Sequence, residues 1–100
     1  MTNIYSILRS TGLDCVYSHF DEDHSLPYIA YIGVGQDVAP ADDTYYWKEN
    51  NYQIEYYFKD KNEENEEAIE QVLTDAGFLY QKSEDTYIED QGVFVIYYTV

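Results

Sequence analysis

His19 and His24 flank Phe20-Asp21-Glu22-Asp23, which puts two imidazoles and three carboxylates side by side. Such donors suit a divalent cation. Their spacing, however, fits neither two His on one helical face nor a calcium loop, which needs acids on alternate positions and a central Gly. The segment reads as a solvated turn. Asp42-Asp43 and the run Glu63 to Glu70 offer paired carboxylates. Acid–base chemistry needs burial to split their pKa values, and no apolar pocket is evident around either pair. Gly33-Val34-Gly35 lacks the third Gly, the Lys and the following helix of a phosphate cradle. Cys15 is alone in the chain, so no intramolecular disulfide can form, and its strand-like surroundings predict a buried, inert thiol. With no Ser-His-Asp or Cys-His pairing legible, the chain reads as a non-enzyme, with no catalytic residue, no cofactor and no metal.

Two features suit a binding surface better. Tyr45-Tyr46-Trp47 places three aromatics on consecutive strand positions, so at least one points away from whichever face is buried. Such rings commonly anchor protein interfaces. The polar segment from Gln36 and Asp37 to Asp42 and Asp43 is long for so small a domain, and long loops carry contacts. These seven residues, Gln36, Asp37, Asp42, Asp43, Tyr45, Tyr46 and Trp47, form the candidate assembly interface.

One hundred residues make one domain, 1–100. The 20 acids against 5 bases exclude binding to nucleic acid by phosphate neutralisation and argue against an anionic membrane surface. They suit basic protein partners or a DNA-like decoy. The N-terminus has neither a basic leader nor a long apolar core, and no run approaches membrane-spanning length, which predicts a cytoplasmic, soluble protein. Tyrosine supplies 13 of the 18 aromatics, a bias toward strands and half-wet surfaces.

The elements follow from periodicity and punctuation. Thr2 or Asn3 caps a short helix with Ile4, Ile7 and Leu8 on one face and Gly12 as its stop. Leu13 to Phe20 is extended, and Asp21 to Ser25 is a turn. Tyr28 to Val34 alternates Tyr28, Ala30, Ile32 and Val34 against Ile29 and Tyr31, and apolar character on both sides predicts cover on both. A loop follows from Gln36 to Asp43. Thr44 to Lys48 and Tyr52 to Lys59 form a hairpin around Asn50-Asn51, since Asn tolerates tight-turn backbone angles. The clearest helix begins at Asn62 or Glu63, with Ala68, Ile69, Val72, Leu73 and Ala76 at helical spacing, an exposed acidic face and Gly77 as its stop. Phe78 to Lys82 and Thr86 to Ile88 are strands. Val93 to Val100 is an apolar strand of the kind found inside a sheet. The order α-β-β-β-β-α-β-β predicts an α+β fold, a mixed, mainly antiparallel sheet with two helices packed against it.

Leu26-Pro27-Tyr28-Ile29-Ala30-Tyr31, Ala41-Asp42-Asp43, Tyr52-Gln53-Ile54-Glu55-Tyr56-Tyr57, Glu66-Glu67-Ala68-Ile69-Glu70, Gly77-Phe78-Leu79-Tyr80 and Tyr87-Ile88-Glu89, in that order, resemble one family. They are similar to the small tail-terminator or head–tail joining proteins of Gram-positive phages and prophages, over residues 25 to 100. The resemblance implies a structural subunit of a ring, commonly of six, that caps the tail tube and docks it to the head connector. Its implied partners are further copies of itself, the tail-tube protein and the head connector protein. Its implied location is the host cytoplasm during assembly and then the virion. From charge and size alone, the alternative is an acidic DNA mimic that inhibits a host DNA-binding protein.

Overall fold

The computed structural model describes residues 3–19, 25–41 and 45–100, with those from 37 to 49 described by their backbone alone. The elements are α1 (Ile4–Arg9), β1 (Asp14–Tyr17), β2 (Tyr28–Ala41), β3 (Tyr45–Phe58), α2 (Glu63–Asp75), β4 (Gln81–Lys82), β5 (Thr86–Ile88) and β6 (Val93–Thr99). One six-stranded sheet runs in the order β1-β2-β3-β6-β4, and β5 also pairs with β6. Among the described strands only β1 and β2 pair in parallel. The α+β class and the mixed, mainly antiparallel sheet are as expected from sequence.

Both helices are set by their ends. Asn3 Oδ1 accepts the Tyr5 N–H at 2.8 Å to open α1. Asn62 Oδ1 accepts from the N–H groups of Glu64 and Asn65 at 3.0 and 3.2 Å to open α2. A cap of this kind contributes about 1 kcal/mol. At the other end of α2, Gly77 takes φ +87°. Its N–H donates to the Thr74 carbonyl and that of Phe78 to the Leu73 carbonyl, a paired bond that ends the helix and turns Phe78 back onto the core. That is why the strand expected from Phe78 starts only at Gln81.

The helices share one face of the sheet. Ile4 and Leu8 of α1 and Ile69 and Leu73 of α2 form one buried cluster with Cys15, Ile29, Ile54, Tyr56, Phe58, Ile96 and Tyr98. Register explains the grouping. Ile29 lies opposite Tyr56, and Tyr56 opposite Ile96, so all three side chains leave the sheet on the same side. The apolar alternation of β2 predicted cover on both faces, but among the described residues no helix packs on the other one.

The largest departure from expectation lies in the hairpin. Asn50-Asn51 is not a turn. Asn50 sits in β3 opposite Gln36, and the ladder continues to the pair Ala41 and Tyr45. The expected loop over 36–43 is therefore strand through Ala41, and the expected strands 44–48 and 52–59 are one. The strand preference of Tyr45-Tyr46-Trp47 and of Tyr52 onward outweighs the turn preference of two Asn residues between them. Asp42 and Asp43 lie outside the described residues.

Candidate functional site

Five of the seven predicted interface residues, Gln36, Asp37, Tyr45, Tyr46 and Trp47, fall on a projecting hairpin arm. Sheet neighbours hold β2 only through Tyr31, where β1 ends, and β3 only from Tyr52, which exchanges backbone bonds with Val100. Beyond Gly33 the register shifts, with Gly35 at φ +116°, a conformation that favours glycine. The six pairs from Gln36–Asn50 to Ala41–Tyr45 then run on with only each other as sheet partners. At the usual rise per residue this arm extends about 20 Å. It accounts for the elongated outline of 52 × 25 × 24 Å. Gln36 Nε2 donates to Asn50 Oδ1 at 2.7 Å across the base of the arm. Asp37 lies opposite Glu49, and Tyr45, Tyr46 and Trp47 lie opposite Ala41, Pro40 and Ala39.

The structure thus brings Gln36, Asp37, Tyr45, Tyr46 and Trp47 into one two-stranded element, which the loop reading of 36–43 did not foresee. Among the described residues neither arm strand has a second neighbour, so each offers backbone donors and acceptors along its outer edge. An open edge of this length is a template for pairing with another chain. Pro40, opposite Tyr46 on the β2 side of the arm, has no N–H to give.

A second surface lies on the helix-free side of the sheet. Tyr28 and Tyr57 stack there with ring centroids 5.0 Å apart. Ala30 and Val95 form its floor and are fully buried beneath larger neighbours. Tyr57 donates its hydroxyl to Glu55 Oε1. Burial first, and then the Glu55 carboxylate, push the Tyr57 phenol well above its ordinary range, so it stays a donor at any physiological pH.

A charged network joins α2 to the sheet edge. Sequence reading put Glu66 on an exposed acidic face, yet it is 3% exposed. It stands three and seven residues before Ile69 and Leu73, on the buried stripe, and that spacing was the available signal. Lys82 Nζ donates to Glu66 Oε1 at 2.9 Å and stands 2.9 Å from Glu70 Oε2. Lys61 Nζ lies 2.8 Å from Glu66 Oε2, an ion pair without hydrogen-bond geometry at that oxygen, and 2.9 Å from Asp85 Oδ2. Tyr98 donates to Glu70 at 2.8 Å. Burial alone would raise the Glu70 pKa, but the Lys82 and Tyr98 hydrogen bonds and the Lys82 charge outweigh it, leaving the carboxyl below its ordinary value of 4.5.

A lowered pKa in the folded state gives stability that is present above the unfolded value and lost as pH falls through the folded one. We expect Glu70→Gln to be less stable than wild type at pH 7, with the gap closing below about pH 4. Urea unfolding of both proteins across that range measures it, and a gap independent of pH would contradict the assignment.

Among the described residues, the remaining candidates hold no converging chemistry. Burial raises the Cys15 pKa to about 11, against a smaller opposing pull from Arg9, so it remains a thiol. Among the described residues no three His, Cys, Asp or Glu side chains gather as metal ligands. His19 bonds its neighbour Ser18, while His24 and Asp21-Glu22-Asp23 lie outside the described residues. A cavity of about 240 Å³ beside Pro27, Phe58 and Asn62 is shallow and open. No helix of the described residues is long and apolar enough to cross a membrane.

No protein-family model and no curated protein matches the chain. The geometry therefore carries the functional argument, and its most distinctive part is the arm.

Proposed function

We propose that this protein is a structural subunit of a phage or prophage particle, a tail terminator or head–tail joining protein that works as a ring, commonly of six. The observation that carries this reading is the arm. A domain of this size gains little internal packing from a two-stranded projection with both edges open, whereas a neighbouring subunit can pair with those edges. Head-to-tail contacts of that kind close into rings when the rotation allows. The family resemblance over residues 25 to 100 supports the same reading. The partners are then other copies of the chain, the tail-tube protein and the head connector. The location is the host cytoplasm during assembly and the virion afterwards.

A second reading is an acidic DNA mimic acting on a host DNA-binding protein. It is favoured by the exposed acids Glu63, Glu64 and Glu67 along the outer side of α2.

Particles made without this gene separate the two. Electron microscopy of their tails, with and without added protein, should show tails of uncontrolled length or tails that fail to join heads until the protein is supplied. Normal infectious particles would overturn the assembly role and favour the mimic.

A further inference from the structure

On the helix-free face of the sheet, a central carboxylate has no cation paired with it among the described residues. Across the three central strands, Ala30, Glu55 and Tyr97 lie in one register row, with Tyr28, Tyr57 and Val95 in the row beside it. Residues opposite one another share a face, so Glu55 emerges between the small Ala30 and the ring of Tyr97, and next to the stacked Tyr28–Tyr57 pair. Its carboxylate is half-buried. One oxygen accepts from the Tyr57 hydroxyl, and the other has only a long 3.5 Å contact from Gln53 Nε2. Both donors are neutral.

Three of the five lysines and arginines of this chain are paired elsewhere. Arg9 faces Asp14, while Lys61 and Lys82 face Glu66. No ion pair reaches Glu55 among the described residues. Taking a carboxylate partly out of water beside aromatic rings is costly without a compensating cation. The same rings present electron-rich faces that attract one.

We infer that the helix-free sheet face docks an arginine-bearing segment of a basic partner protein, whose guanidinium pairs with Glu55 and lies against the rings of Tyr97 and the Tyr28–Tyr57 pair. Arginine fits better than lysine because its planar group stacks on a ring while its N–H fork meets a carboxylate edge-on. Charge selects the partner class. Two copies of this face would set Glu55 against Glu55, whereas a basic protein brings the opposite charge to it. The inference stands whether or not the particle-assembly reading holds, because it concerns a different face from the arm.

The test is a titration of the isotopically labelled full chain with N-acetyl-arginine amide, followed by NMR. The neutral isostere N-acetyl-citrulline amide and the variants Glu55→Gln and Tyr97→Leu serve as comparisons. Arginine amide should shift resonances of residues 53–57 and 95–97, saturating at roughly 1–50 mM. Glu55→Gln should weaken that binding about tenfold, a loss of one charge-assisted pair. Tyr97→Leu, which keeps an apolar cover but removes the ring, should weaken it about threefold. Retained dispersion of the spectra shows that each variant is folded. Equal shifts with citrulline amide, undiminished binding by Glu55→Gln, or shifts centred on Glu63 to Glu67 would overturn the site. Shifts of the open face on concentrating the protein alone would assign that face to a second copy, and would also overturn it.

Discussion

Leu73→Ala should destabilise the fold by about 3 kcal/mol and lower Tm by roughly 15 °C. Leu73 is fully buried and belongs to the one cluster that joins both helices to the sheet. Removing its branched end deletes transfer free energy and leaves a cavity. The Tyr56 hydroxyl accepts from Asn65 Nδ2 at 3.1 Å and its ring stacks on Phe58, so Tyr56 is poorly placed to move in and fill the gap. Val72 is the control. It is adjacent in sequence but only half-buried, so Val72→Ala should cost about 1 kcal/mol or less. Urea unfolding of the two variants measures the contrast. Similar losses at both positions would mean that α2 does not pack with the face described here.

Lys82→Ala should cost about 2 kcal/mol, a large effect for a lysine on a two-residue strand at the sheet edge. Lys82 is itself 35% exposed, so solvent screens it and the full cost of breaking a buried pair does not apply. Its partner is what makes the loss large. Glu66 is 3% exposed, and without Lys82 it keeps a single ammonium, that of Lys61. Desolvation works against the charge of Lys82, but its bonds to Glu70 and Glu66 prevail and hold the ammonium above the ordinary lysine range. That contribution is present at neutral pH and is lost only as pH rises through the raised value. Glu67→Ala, one residue along on the exposed side, should change stability by less than about 0.5 kcal/mol. If Lys82→Ala proved as mild as Glu67→Ala, the network would be decorative rather than a tie between α2 and the sheet.

Much of the fold was legible because its signals are local. Asn3 and Asn62 are cap residues with a helical apolar stripe behind them, Gly12 and Gly77 end those stripes, and Val93 to Thr99 is apolar enough to require an interior strand. Residues 44 to 52 misled because two signals competed. Asn50-Asn51 has turn chemistry, but its flanking aromatics and its partner strand Gln36 to Ala41 pull it into a ladder whose pairing no single segment announces. The same blind spot hid the arm, since its projection depends on where β1 and β6 stop. Glu66 was hidden by composition. One buried acid looks like its neighbours in a run of acids until its register with Ile69 and Leu73 is counted, and its lysines come from 5 residues before it and 16 after. Gln36, Asp37, Tyr45, Tyr46 and Trp47 stand out by residue type alone, with nothing in the sequence to show that they share one element. Glu55 was not found, because only cross-strand register places it at the centre of the Tyr28, Tyr57 and Tyr97 face.

In the proposed function, the arm is the assembly element of an otherwise self-sufficient domain. Replacing residues 34–51 with Asn-Gly closes the hairpin directly after the pair Gly33 and Tyr52, where the core ladder ends. Every residue of the buried cluster described above lies outside the deleted stretch. The decisive measurement is electron microscopy of gene-deleted particles supplied with either the full chain or this shortened one, after unfolding curves show that both are folded. The full chain should restore tails of normal length joined to heads, and the shortened chain should restore none. Equal rescue by the shortened chain would contradict that role.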